Sequence, residues 1–208
     1  MMKIILIFVF ISIAPKISLA YSHFISYHID SSDVRNRVAE IQAGLLQKDP
    51  LFEKYFEKLT SLHVSVDYLE LNETSIEIAK TALSEAGKKL STSSVSLRGF
   101  GSLVGFLYVN AFSDDDQPLA LIKNKESVKN TFATFGIQTS WWWPYVAHMT
   151  LANVNGPDQP RLEFKWFTLL FDARKMGSFE IKSIRLCAWD IPEGDDDYPV
   201  LAEAFFPQ

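Results

Sequence analysis

One cysteine and four histidines are all that this 208-residue chain offers of the side chains most used for metal ligation and covalent catalysis. A lone thiol, Cys187, excludes an intrachain disulfide framework, and there is no Cys pair or His-x-x-x-His spacing to hold zinc. Cys187 sits in the apolar run Ile184-Arg185-Leu186-Cys187-Ala188-Trp189, where a buried, inert thiol is expected. Glycine and proline are scarce, nine of each, with no low-complexity linker and no repeat. No GxGxxG phosphate loop is present; Gly99-Phe100-Gly101 reads as a hairpin turn. Basic residues number 20 against 25 acidic, so the net charge of −5 excludes a bulk polyanion binder, and duplex DNA is not an expected partner. A phosphate group would have to meet a local cluster of donors. No metal and no cofactor are expected.

Long apolar runs are also rare. The single example, Ile4 to Ala14, follows Lys3 and is ended by Pro15 and Lys16; Ser18-Leu19-Ala20 then supplies a small-x-small cleavage site. This predicts a signal peptide over residues 1–20 and one domain over 21–208, secreted or in the secretory lumen, with no membrane attachment after cleavage. Cleavage would remove two lysines and no acid, leaving a charge of −7. Asn72-Glu73-Thr74 is a glycosylation sequon that suits this route, though Asn72 or Thr74 also suits a helix cap.

What the chain has in quantity is apolar side chain, 48% of residues with 13% aromatic, enough for a sizeable core. Strands are predicted over His23–Asp30, Ser61–Tyr68, Val95–Phe100, Val104–Phe112, Tyr145–Val154, Phe179–Ile191 and Val200–Phe206. Helices are predicted from a Ser31 or Ser32 cap to Asp49-Pro50 (stripe Val34, Val38, Ile41, Leu45), over Leu51–Leu59, over Asn72–Leu90 (inner side Ile76, Ile78, Ala79, Ala82, Leu83), over Pro118–Phe135 and over Arg161–Arg174. The order suggests an α+β domain of two similar halves with mostly antiparallel pairing.

Each half carries one histidine in the same pattern: Leu62-His63-Val64-Ser65-Val66 and Ala147-His148-Met149-Thr150-Leu151. Strand side chains alternate, so His63 and Ser65 share one face and His148 and Thr150 share another, opposite the apolar residues. Two imidazoles that titrate near neutral pH suit phosphodiester cleavage, one removing a proton from the attacking hydroxyl and the other protonating the leaving oxygen. The hydroxyls would donate to non-bridging phosphate oxygens.

On these motifs the chain resembles the two-histidine (2H) phosphoesterases, and within them the 2′,5′-RNA-ligase-like central domain of a kinase-anchoring protein. Lys48-Asp49-Pro50-Leu51, Leu97-Arg98-Gly99-Phe100-Gly101, Val104-Gly105-Phe106 and Ile184-Arg185-Leu186-Cys187 extend the likeness over nearly all of residues 21–208. The resemblance implies a bilobal fold of two mainly antiparallel sheets with flanking helices and a central cleft. It implies that His63, Ser65, His148 and Thr150 form the catalytic set. It implies a substrate among RNA, oligonucleotides and cyclic nucleotides, cleaved without metal by a monomer. Ser65 stands where threonine is commoner in the family, and the predicted signal peptide favours extracellular RNA or nucleotides over cytosolic oligoadenylate.

Trp141-Trp142-Trp143-Pro144-Tyr145 precedes the second motif, and Trp142, Trp143 or Tyr145 is expected to stack on a nucleobase. The acid runs Asp114–Asp116 and Asp195–Asp197 are expected in solvated loops. The competing reading is a secreted, non-catalytic nucleotide-binding or interaction protein on the same fold.

Overall fold

The computed structural model describes residues 21–103, 105–113, 119–140, 145–167 and 176–207. The predicted signal peptide, Trp142, Trp143 and Asp114–Asp116 lie outside the described residues.

Among the described residues eight strands and four helices follow one another: β1 His23–His28, α1 Ser32–Lys48, β2 His63–Leu69, α2 Glu73–Gly87, β3 Ser93–Leu103, β4 Phe106–Ser113, α3 Leu119–Thr134, β5 His148–Asn153, α4 Gln159–Phe167, β6 Gly177–Ile181, β7 Ser183–Ala188 and β8 Val200–Phe205. The Ser31 hydroxyl accepts from the Val34 amide and starts α1, whose Val34, Val38 and Leu45 are buried. Asn72 caps α2 through a reciprocal capping box with Ser75. The inner face of α2 runs through Ala79, Ala82, Leu83 and Ala86; Ile78, expected there, is 41% exposed. Asp49 ends α1 and caps a 3-10 turn over Pro50–Tyr55, shorter than the expected helix. No described helix is long and apolar enough to cross a membrane.

All strand pairing is antiparallel, in the order β6-β3-β4-β5-β2-β1-β7-β8. The hydrogen-bonded ladder is therefore one sheet of two four-strand halves, where two separate sheets were expected. The halves meet at β2 and β5 through a single pair, Val64 opposite Met149. The sheet must also curl. β6 and β7, expected as one strand over Phe179–Ile191, are separated only by Lys182, yet they lie in opposite halves. Two Cα steps span at most about 7 Å, so the chain draws the two halves together behind the seam. The side-chain alternation records the break: Phe179 and Ile181 are buried before it, Ile184 and Leu186 after it.

The β3–β4 hairpin turns at Gly105, with φ of 83°, and not near Gly99 and Gly101. Gly99 instead sits at a bulge between Arg98 and Phe100, with φ of 69°.

Candidate active site

His63 and His148 open β2 and β5, the two strands at the seam. Val64 and Met149 face each other and are fully buried. One step either way along that register sets His63 across from Thr150 and Ser65 across from His148, on the opposite, half-buried face. The four motif side chains thus come together on one face of the sheet at the seam, as a crossed pair of imidazole and hydroxyl.

The two imidazoles are held in the same way. Nδ1 of His63 donates to the Ser61 carbonyl at 2.8 Å, and Nδ1 of His148 donates to the Val146 carbonyl at 2.7 Å. A carbonyl only accepts, so Nδ1 carries the proton in both rings, and in the neutral ring Nε2 is the nitrogen that can accept one. Each ring also packs on an aromatic: Phe24 lies 4.9 Å from His63, and Tyr108 lies 4.9 Å from His148. Gly101 makes room for Tyr108, because a Cβ there would come within 2.5 Å of the phenol ring.

The environments then diverge. His63 pairs directly across from His28 of β1 and lies edge-to-face with Tyr198, ring centroids 5.6 Å apart. Burial holds its pKa down to about 4; the Ser61 carbonyl opposes that shift, and His148 and His28 add to it. His148 is also lowered by burial, with the Val146 carbonyl opposing, and its cross-strand neighbour on β4 is the neutral Asn110.

On the His63 side a recess of about 210 Å³, counting its open mouth, is lined by His28, Arg185, Cys187, Asp197 and Tyr198 among others. None of these was assigned to the site from sequence. Phe24, Ser26 and His28 do alternate along β1, but their partner strands were not known. The acid run Asp195–Asp197 lies in a loop with Asp195 and Asp196 exposed, as expected, but the loop is also tethered. Lys58 donates to the Asp195 carbonyl at 2.8 Å and to the Asp196 carboxylate at 3.1 Å, and Thr60 donates to the Asp196 carbonyl at 2.6 Å. That brings Tyr198 over His63, with its hydroxyl on Glu57. Cys187 is 4% exposed, and burial pushes its thiol up to about 11, which keeps it protonated. Among the described residues no three His, Cys, Asp or Glu side chains cluster in a way that could hold a metal ion.

Tyr145 is half-buried against the core. Its hydroxyl donates to the Ser65 carbonyl at 2.9 Å, and the Lys125 ammonium lies 5.0 Å from its ring centroid.

Known proteins resemble this chain in sequence and in fold. The family described as the AKAP7 2′5′ RNA ligase-like domain matches residues 21–206. A Caenorhabditis elegans protein, C35A5.6, is 29% identical over 89 residues, which is 43% of this chain and 37% of that protein. The structure of E. coli LigT complexed with 3′-AMP superposes with a TM-score of 0.65 at 15% identity, over 90% of this chain and 99% of that one. TT0787 of Thermus thermophilus gives 0.65 at 16% identity, over 89% and 97%. The MHV ns2 PDE domain gives 0.52 at 14%, over 64% and 78%. At these identities the structural likenesses establish the fold, while the family match spans the domain from its first described residue to Phe206. The chain belongs to the AKAP7 2′5′ RNA ligase-like domain family.

Proposed function

We propose that this protein is a metal-independent phosphodiesterase acting on RNA, oligonucleotides or cyclic nucleotides by paired-histidine acid–base catalysis. The observation that carries the reading is the mirrored pair of imidazoles. Both are locked through Nδ1, which leaves Nε2 as the nitrogen for proton transfer, the two rings are close enough for His148 to act on the charge of His63, and each lies across from a hydroxyl at the seam. His63, enclosed by Phe24 and Tyr198 beside His28, is the neutral partner and takes the proton from the attacking hydroxyl. His148 protonates the leaving oxygen. Ser65 and Thr150 donate to the non-bridging oxygens as charge builds on them. Trp142 and Trp143 remain the aromatic residues proposed to meet the base; Tyr145, also expected to do so, has its hydroxyl committed to the Ser65 carbonyl and is not kept in that role.

Support for the substrate class comes from the family and from the fold relatives, one of which was solved with 3′-AMP and another of which is named as a PDE domain. The signal-like residues 1–20 extend the proposal to a secreted or lumenal monomer acting on RNA or nucleotides there.

The test is cleavage of 2′,5′- and 3′,5′-linked oligonucleotides and a 2′,3′-cyclic nucleotide in chelator, by wild type and by His148→Ala. Turnover of at least one substrate that falls by about 10²–10⁴-fold in the variant is expected. Nucleotide binding without turnover would replace the enzyme by a binding module.

A further inference from the structure

Two strands that meet at one pairing position do not by themselves hold two imidazoles at a fixed separation. The seam is closed from both ends by the segments that lead into the motifs, and each segment crosses to the other half. Ahead of His63, Phe56 bridges to Ala152 and the Glu57 amide donates to the Leu151 carbonyl at 3.0 Å, just beyond Thr150. Ahead of His148, the Ser140 amide donates to the Tyr68 carbonyl at 3.0 Å, and the Tyr145 hydroxyl donates to the Ser65 carbonyl at 2.9 Å. Each motif strand is thus gripped by the lead-in of the other.

The second grip has an anchor beneath it. Asp67 is fully buried, and its carboxylate accepts from the Ser140 hydroxyl, the Tyr68 amide and Lys125 Nζ. The same Lys125 ammonium lies over the Tyr145 ring. Burial raises the phenol's pKa well above its ordinary value, with Tyr27, Tyr68 and Asp67 adding to the shift, so it remains a donor. Of the contacts that cross at this end, the Tyr145 hydroxyl reaches the backbone of a motif residue itself.

We infer that Tyr145 is a positioning residue for the two-histidine chemistry: its phenol ties the backbone of the first motif to the segment that delivers the second, and so fixes the separation of His63 and His148. This rests on the catalytic reading above for its kinetic consequence, but not for its structural one. Tyr145→Phe keeps the ring and removes only the bond. A displaced imidazole loses alignment in the transition state more than it loses ground-state binding.

The experiment compares Tyr145→Phe with Ser183→Ala, which removes a hydroxyl bonded to Glu203 between β7 and β8, within one half of the sheet. For Tyr145→Phe, kcat is expected to fall about tenfold with KM within twofold, while Ser183→Ala leaves both near wild type. Imidazole proton and nitrogen resonances are followed in the same proteins. In Tyr145→Phe those of both His63 and His148 are expected to shift, with His23 unmoved. An unchanged kcat, or a raised KM at unchanged kcat as a base-stacking residue would give, overturns the inference. If wild type turns over no substrate, the catalytic reading has failed and the resonances alone decide: unmoved His63 and His148 overturn the positioning role, and a joint shift upholds it.

Discussion

Replacing His63 by asparagine should make the protein less sensitive to acid. The folded imidazole is held at about 4 against an ordinary 6.5, chiefly by burial. Above pH 6.5 the ring is neutral in both folded and unfolded chains and pH has no leverage through it. As pH falls toward 4 the unfolded chain binds a proton that the folded imidazole refuses, and stability is lost across that window. The gap sets a ceiling of about 3 kcal/mol at roughly 1.4 kcal/mol per pH unit. The ring is partly exposed, so screening by water brings the expected loss to on the order of 1–2 kcal/mol. His23, His28 and His148 are also lowered, but they are common to both proteins and cancel in the comparison. The assay is urea denaturation of wild type and His63→Asn at pH 7.5 and 4.0. Wild type should lose about 1–2 kcal/mol more than the variant between the two pH values. Equal losses would mean that His63 is not held neutral by its surroundings, and the assignment of His63 as the base would lose its physical ground.

Catalysis should carry the same signature. The productive state needs one imidazole neutral and the other protonated, and both are lowered, so the optimum of kcat/KM is expected below pH 6.5. A bound phosphate raises both groups and moves the kcat profile to higher pH; a kcat/KM optimum above pH 7 would contradict this. Gly105→Ala should lower stability by about 1–3 kcal/mol, because alanine is strained at φ of 83° and its Cβ would come within 2.1 Å of the Asn155 side-chain oxygen. Gly194→Ala, at φ of 95° in open space, measures the strain alone, and thermal melts of the two variants should differ by the clash.

Features that repeat over a few residues could be read from the chain alone. Alternation along Leu62–Val66 and Ala147–Leu151 placed each histidine beside its hydroxyl and opposite a buried apolar face, because strand geometry is the same wherever the strand lies. The caps were legible to within a residue or two, Ser31 or Ser32 and Asn72 or Thr74, since a cap bonds within three residues of itself; the structure selects Ser31 and Asn72. What lies across a strand or under a loop was settled by tertiary packing. His63 meets Thr150 and His28 through registers that join residues far apart in the chain, and no local pattern specifies a register. The turn at Gly105 and the break at Lys182 escaped a reading by alternation because apolar residues continue on both sides. Asp197 read only as the end of a solvated acid run and Tyr198 was not singled out; the bonds from Lys58 and Thr60 that tether the run to the lead-in to β2 are long-range. Tyr145 stood out as one aromatic among several; its bond to the Ser65 carbonyl exists only because the two halves close on one another.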